Sequence, residues 1–501
     1  MKRNFSILVR GVLLMAALML LIMAAELFLD LYDGHYSVLR LAAFNTDEAR
    51  HLNNALNRNF NQLVAVAFTT VAIAVPLTAN MYSLKFLEFF VKDPVNAAVL
   101  TLVVFADLNN TWVAHSIKDD FVPRFGLYAS FALVVIGFAL LFPYLYYVFR
   151  FLHPNTLLER LEDEIYSDLR AARRRPAHAA PYRRQVAEGI EHIANIAIRS
   201  IDRLDRNTAI ESMLTLERVA RAYWSHKPRL PAVWFQAEQS FFLGFSSQAV
   251  DDFTASRSWV EMKLFSQIRQ VLSAAIPRVH DVVSASAKTL RKLGLEDTAR
   301  SQAALREMVM EYFNTYIRLA ITRRDPRSVF ILFDQYRIYA EALNADDPAL
   351  VLEIAYYFQY YAQVARENGL SFIVEAVAHD LGALVQQVWQ TGTPNRAGVL
   401  ERFLRYDAVA RPPLPGVKKA QAILASYFLL SGQAEPVALI RQSFAGLDPA
   451  FVGAIKADLL HVTREKYWEV TERRMHIDYV PDAQREKLRE FFDSLPAAEA
   501  A

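Results

Sequence analysis

The polar residues best suited to bind or carry charge lie in FADLNNTWVAHS, positions 105–116, inside an otherwise apolar segment. On a helix, Asp107, Asn110, Thr111 and Ala114 follow i, i+3, i+4, i+7 spacing and share one face. A carboxylate near the middle of a membrane helix costs about 2.5–3.5 kcal/mol on insertion scales, so such residues normally face a cavity, a partner charge or a pathway. The pattern indicates either a wet path for ions or protons or a buried hydrogen bond between helices.

A weaker polar row follows the preceding apolar segment, through Thr69, Pro76 and Asn80. Amides and hydroxyls in membrane helices commonly form interhelical hydrogen bonds worth about 0.6–2 kcal/mol. No Lys or Arg falls within the other predicted spans at the depth of Asp107, so an ion pair has no obvious partner there. A protonated Asp107 hydrogen-bonded to Asn80 or Thr78 is the structural alternative. The expected pore-lining or intramembrane polar residues are Asp107, Asn110, Thr111, Thr69, Pro76 and Asn80.

Four apolar segments predict a transmembrane domain over residues 1–150, because about 20 apolar residues cross a bilayer core. The predicted spans are 11–29, 62–84, 94–116 and 125–149. Basic residues precede the first span, lie between the second and third, and follow the fourth. Because Lys and Arg concentrate on the cytoplasmic side, we expect a multi-pass protein with both termini in the cytoplasm.

A basic juxtamembrane linker is predicted over residues 151–184. Each cationic side chain near an anionic leaflet contributes about 1 kcal/mol, so anionic lipid head groups are an expected partner, and a solvated linker is an equal alternative. The predicted lipid-facing residues are Arg170, Arg173, Arg174, Arg175, Arg183 and Arg184.

Residues 185–490 show helical periodicity throughout and no run of alternating strand pattern. A spacing of about 20 residues per helix and turn predicts hairpins stacked as an irregular α-solenoid-like domain in the cytoplasm. Residues 491–501 are predicted to be a flexible tail. The fold class is therefore all-α, a four-helix transmembrane bundle followed by a large helical region.

Enzyme motifs are absent from the 501 residues, which contain no P-loop, no dinucleotide fingerprint and no HExxH. There is no cysteine, which excludes Cys-ligated metals, and Glu188 with His192 is better explained as a surface polar pair than as a metal site. The net charge of +2 does not argue for nucleic acid. We expect no catalytic residue, no metal and no cofactor.

Three short segments resemble a large bacterial family of uncharacterised predicted membrane proteins. SLKFLEFFVKD, residues 83–93, is similar to the family pattern S-P-R-x-L-x-x-F-x-R-D, with Leu84 in place of Pro; FVPR, residues 121–124, is also similar. In residues 193–220 the matches include Ile196 to Arg199, but DRLDRN replaces the family's Pro-Gly-Asn-Asp-Pro turn. The resemblance covers roughly residues 10–290. It implies topology and a bacterial inner (plasma) membrane location, and it implies no chemistry.

Two functions fit these observations. The first is an oligomeric, channel-like inner-membrane protein in which spans two and three line a path and the helical domain is regulatory. Four short-looped spans cannot enclose a wide channel alone, so this hypothesis requires a homo-oligomer. The alternative is a membrane-anchored helical scaffold that binds a protein partner in the cytoplasm, since stacked helices present long binding grooves.

Overall fold

The computed structural model describes residues 45–119, 121–409, 412–467, 473 and 475–495. The predicted first span at 11–29 lies outside these residues. The chain divides into two compact units between Arg160 and Leu161. Every regular element in the described ranges is a helix, and two isolated bridges join Lys118 to Phe121 and Lys466 to Met475. The all-α prediction is confirmed.

Three helices among the described residues are long and apolar enough to cross a membrane, and a short helix separates the first from the second. The third predicted span has the predicted bounds, and the fourth differs by one or two residues at each end. The elements of the first unit are α1 (Thr46–Met81), α2 (Lys85–Lys92), α3 (Pro94–Ser116) and α4 (Arg124–Phe151), followed by the start of α5 (Pro154–Arg174).

The helix that contains the predicted second span starts well before residue 62. Helix α1 begins at Thr46, because Asn45 and Glu48 form a reciprocal capping box at its N-terminus. Ala49, Asn53 and Phe60 then continue one buried stripe into the apolar half of the helix. Burial along one face sustains a helix through a stretch whose average hydropathy is too low to predict a span.

The register of α1 against α3 is set by two apolar clusters. Ala49 packs in one cluster with Val113 and Ile117, and Phe60 packs in the other with Ala106. The two helices therefore run antiparallel. Gly137 of α4 fits closely against Phe60, since a Cβ atom there would lie 2.6 Å from the Phe60 ring carbon Cε2. The polar first half of α1 consequently lies beside the second half of α3.

The second unit contains the rest of α5 and a long series of helices. Four short 3-10 turns, at Pro176–His178, Lys227–Arg229, Ala232–Phe235 and Gln239–Phe241, interrupt the early part. The helices are α6 (Ala179–Asp202), α7 (Arg206–His226), α8 (Ser247–Ala255), α9 (Trp259–Ala275), α10 (His280–Gly294), α11 (Asp297–Arg300), α12 (Ala303–Thr322), α13 (Pro326–Leu343), α14 (Pro348–Glu367), α15 (Ser371–Thr391), α16 (Arg396–Leu404), α17 (Tyr406–Val409), α18 (Pro415–Leu430), α19 (Ala434–Gln442), α20 (Pro449–His461) and α21 (Asp482–Asp493).

These helices stack in two rows. In one row each helix packs on the next in the order α7, α10, α13, α15, α18 and α21; in the other the order is α9, α12, α14 and α16. Hairpin partners such as α12 with α13, and α14 with α15, connect the rows. This arrangement is a large α-solenoid-like helical region, as the fold-class prediction states.

Two predicted domain boundaries differ from the structure. All of α5 and the start of α6 lie within the predicted basic linker at 151–184, so the helical region begins before residue 185, and a Cβ on Gly189 of α6 would lie 2.8 Å from the Ile165 side chain of α5. The predicted tail starts too early, because α21 continues to Asp493 and buries Phe491. In both places an apolar helical face is buried beside a conspicuous run of polar or small residues.

Asp380 of α15 is the centre of a buried ionic cluster in the second unit. Its carboxylate accepts hydrogen bonds from Arg337 at 3.2 Å and from both terminal nitrogens of Arg473, at 2.6 and 2.8 Å. Arg473 also donates to the Phe330 carbonyl and lies 3.8 Å from the Phe330 ring centroid. The cluster ties a residue near the C-terminus to helices α13 and α15.

We expect Asp380→Ala to reduce the free energy of unfolding by about 3–5 kcal/mol, because it leaves the buried Arg473 guanidinium without its main counter-ion. The measurement is the thermal unfolding midpoint of the full-length protein in detergent. Glu401→Ala is the control, since the Glu401–Arg405 pair is mostly exposed and should contribute at most about 1 kcal/mol. Equal shifts for the two variants would contradict this account.

Candidate functional site

The polar row predicted in the second span lies on the surface of the described three-helix packing. Thr69, Pro76 and Asn80 are exposed, while Ala67 and Val71 of the same helix are buried on the opposite face. The three residues therefore share one face of α1, but among the described residues this face does not contact α3.

The three polar residues predicted in α3 have three different environments. Asn110 is fully buried in the first unit, Asp107 is partly exposed, and Thr111 is exposed. The Asp107 carboxylate has no hydrogen-bond or ion-pair partner within the described part of the chain. The alternative hydrogen bond from Asp107 to Asn80 or Thr78 is not formed, because Asn80 lies about 30 Å along α1 from Phe60, which is level with Asp107.

Sequence reasoning missed the polar residues that α1 places beside this part of α3. Asn53 is fully buried and donates from Nδ2 to the Asn110 carbonyl at 3.4 Å. Asn109 of α3 donates from Nδ2 to the Ser130 hydroxyl of α4 at 2.9 Å. The side-chain amide of Asn110 has no hydrogen-bond partner among the residues described. Asn53 shares one helical face with the apolar residues Ala49 and Phe60, and this spacing is the sequence signal that could have assigned it to the buried side of α1.

A cation also stands near the height of Asp107, contrary to the expectation from sequence. Arg58 is an exposed residue of α1, two positions before Phe60, and Phe60 contacts Ala106. The expectation failed because the predicted second span began after Arg58. The described residues contain no ion pair between Arg58 and Asp107. We call Asn53, Arg58, Asp107, Asn110 and Thr111 the polar band.

Asp93, at the end of the SLKFLEFFVKD segment, forms the most connected polar site of the first unit. Its Oδ1 caps α3 by accepting from the backbone amides of Val95 at 3.0 Å and Asn96 at 3.4 Å. Its Oδ2 accepts from the Tyr147 hydroxyl at 2.7 Å and from Arg160 at 2.9 Å. The buried carboxylate thus connects α3, α4 and α5 within one unit.

Aromatic rings enclose this site. The Arg160 guanidinium carbon lies 4.0 Å from the Phe151 ring centroid, and Phe86 and Phe90 of α2 pack edge-on against the same ring. A planar guanidinium group can stack on an aromatic ring and donate two parallel hydrogen bonds, which the ammonium group of Lys cannot do. The site therefore holds α2 against the ends of α3 and α4.

Helix α2 is amphipathic. Phe86 is buried, whereas Leu84 and Val91 expose apolar side chains beside the charged Lys92. Hydrogen bonds from Lys92 and Lys85 hold the pKa of the Glu88 carboxyl below its usual range. A short helix with exposed apolar and cationic residues next to a span is typical of one lying at a membrane interface.

The prediction that Arg183 faces lipid is wrong. Its guanidinium is buried, donates to the Val233 carbonyl at 2.9 Å and pairs with Glu238. Helical phase explains the burial, because Val186 and Ile190 follow Arg183 on the same buried face of α6. Arg184 is exposed and pairs with Glu188, which stands four positions before His192 on α6. Arg170, Arg173, Arg174 and Arg175 are exposed.

Three of these arginines line an open groove at the junction of α5 and α6. Arg170, Arg174 and Arg175 surround it with Ser167, Ala171 and Tyr182, and its volume is about 350 Å³. None of the described residues that line the groove carries a carboxylate. Among the described residues, no group of three or more His, Asp or Glu side chains is placed to hold a metal ion.

We expect Asp93→Ala to destabilise the protein by about 2–4 kcal/mol, because it removes a helix cap and leaves Arg160 and Tyr147 without their acceptor. The partial exposure of Arg160 keeps the loss below that of a fully buried pair. The readout is the thermal unfolding midpoint in detergent. Asp119→Ala is the matched control, since Asp119 pairs with Arg50 at the surface; a comparable loss there would show that Asp93 has no special role.

Comparison with known proteins adds a family match and little else. No curated protein sequence matches the chain. Among solved structures, a protein described as "Circular tandem repeat protein with novel repeat topology and enhanced subunit contact surfaces" aligns with 89% of this chain and 96% of its own, at 13% identity and a TM-score of 0.32. That score is too low to relate the two folds.

The family described as "Predicted membrane protein (DUF2254)" matches residues 5–202. This range contains the predicted spans, the Asp93 site and helix α6, whose last residue is Asp202. It is shorter than the range of about 10–290 over which a resemblance was expected. Residues 5–202 thus match a family of predicted membrane proteins, and the family resemblance predicted from the sequence is confirmed.

Proposed function

We propose that the protein is an oligomeric membrane protein in which the polar band lines a path for ions or protons. The observation that carries the proposal is the environment of Asp107 in the apolar helix α3. Its side chain is partly exposed, and its carboxylate has no hydrogen-bond or ion-pair partner among the described residues. Ionisable side chains within membrane spans normally face a water-filled cavity, a partner charge or an ion pathway.

A second copy of the chain supports this path better than one copy alone. Thr69, Pro76 and Asn80 lie on the face of α1 opposite its packed side, and Thr111 also faces outward. Within the three described helices these residues enclose nothing. Assembly around an axis would bring outward polar faces of several copies together, as in pores built from rings of side chains.

The polar band offers chemistry suited to cations or protons. The Asp107 carboxylate would attract a cation, and the exposed Thr111 hydroxyl would replace part of its water shell. In this arrangement the second unit is a cytoplasmic regulatory collar, with both termini on that side of the membrane.

Because the chain contains no cysteine, single cysteines introduced into the native sequence report water access directly. We expect Asp107→Cys and Thr111→Cys, in liposomes, to react with a membrane-impermeant thiol reagent at least about tenfold faster than Leu108→Cys or Phe105→Cys. The two controls are neighbouring exposed positions of α3 with apolar side chains. Equal, slow labelling of all four would contradict a wet path.

Ion flux into liposomes, measured on the same protein, tests whether the path conducts. Asp107→Asn keeps the shape of the side chain and removes its charge, so cation flux should fall or lose selectivity while Leu108→Ala leaves it unchanged. No flux from folded protein across several ions and voltages would overturn the channel proposal.

An anchored scaffold is the second candidate, and one surface of the second unit favours it. Tyr356 and Tyr360 of α14 are each 41% exposed and stack with ring centroids 6.3 Å apart. Arg402 of α16 lies 5.3 Å from the Tyr356 ring centroid. Exposed Tyr with Arg is a composition enriched in protein interfaces, so this surface is where a protein partner would bind if the spans serve only as an anchor.

A further inference from the structure

The groove at the junction of α5 and α6 differs from the other arginine environments of the second unit. Elsewhere many arginines pair with a carboxylate, as Arg218 does with Glu162, Arg306 with Asp347 and Arg473 with Asp380. The guanidinium groups of Arg174 and Arg175 have no hydrogen-bond or ion-pair partner among the described residues. Guanidinium groups gathered without counter-ions in a concave site leave a net positive charge that an external anion can neutralise.

The spacing of the groove residues places their hydrogen-bond donors on the same side of α5, where they line the groove. Ser167, Arg170 and Arg174 follow i, i+3, i+7 spacing on α5, and Tyr182 faces them from near the start of α6. The Arg170 Nε donates to the Tyr166 carbonyl at 3.1 Å, which fixes the side chain and leaves its terminal nitrogens for a ligand. Two hydroxyls complete a set of donors without an opposing acidic group.

We propose that this groove binds a phosphate group. Planar guanidinium forks match the oxygens of a phosphate in two parallel hydrogen bonds, and the hydroxyls of Ser167 and Tyr182 can donate to the remaining oxygens. The C-terminal carbonyls of α5 contribute a partial charge of about −0.5, which three guanidinium groups outweigh. A volume of about 350 Å³ lies within the roughly 300–1,000 Å³ usual for small-molecule sites, so the group carrying the phosphate also fits.

The phosphate can belong to an anionic lipid head group or to a soluble phosphate ester, and two probes separate these sources. Binding of glycerol 3-phosphate to the full-length protein in detergent is measured by calorimetry. Retention of phosphatidylglycerol against phosphatidylcholine is measured by native mass spectrometry of the same preparation. Binding of the lipid alone assigns the groove to a head group, whereas binding of glycerol 3-phosphate shows that the phosphate is sufficient.

The test variant is Arg170→Gln with Arg174→Gln, which should weaken binding of whichever probe binds by at least about tenfold. The matched control is Arg173→Gln with Arg184→Gln, which removes the same charge from nearby exposed positions outside the groove and should change the affinity less than about twofold.

Arg174→Lys keeps the charge but not the fork, so it should restore only part of the affinity lost in Arg174→Gln. Unchanged thermal unfolding midpoints for all variants establish that the fold is intact. Equal weakening by the groove and control variants would mean that only net charge attracts the probe, and this would overturn the proposal. Failure of both probes to bind the folded native protein would overturn it as well.

Discussion

The carboxylate of Asp93 is the interaction on which the first unit depends. A buried carboxylate is stable only when donors surround it, and here the donors come from the start of α3, from Tyr147 of α4 and from Arg160 of α5. Meeting that requirement fixes where α3 begins relative to the end of α4. The aromatic rings around Arg160 then place α2 against the same point. The end of the SLKFLEFFVKD segment is therefore structural in the first instance.

Once the start of α3 is fixed, its length decides which residues face each other further along. Twenty-three residues bring the Asp107–His115 stretch beside the polar half of α1, where Phe60 meets Ala106 and Asn53 meets Asn110. Polar groups in a low-dielectric region are tolerated when they face other polar groups or water. Asp107 is thus one member of a band of polar residues at one height, and not an isolated carboxylate in hydrocarbon.

Local patterns allowed some of this to be predicted from the sequence. The bounds of α3 followed from its apolar window, and in the structure Asp93 caps the helix and Pro94 stands in its first turn. The N-terminal half of α1 was missed because a hydropathy average counts every residue in the window. The few buried apolar residues on one face are outweighed by the Asn and Arg residues on the other faces. Arg183 was misplaced because a run of basic residues carries no information on helical phase. Contacts such as Arg473 with Asp380, 93 residues apart, have no local signal at all.

The Arg473 contacts give the helical stack a property that its two-row order alone would not. In an open stack of hairpins each pair touches only its neighbours, so terminal pairs can fray or be deleted one at a time. Here a single side chain from the C-terminal region reaches Asp380 on α15 and the Phe330 carbonyl on α13, 143 residues earlier. These contacts fasten the end of the array to its middle, and they cannot form until residue 473 has been synthesised.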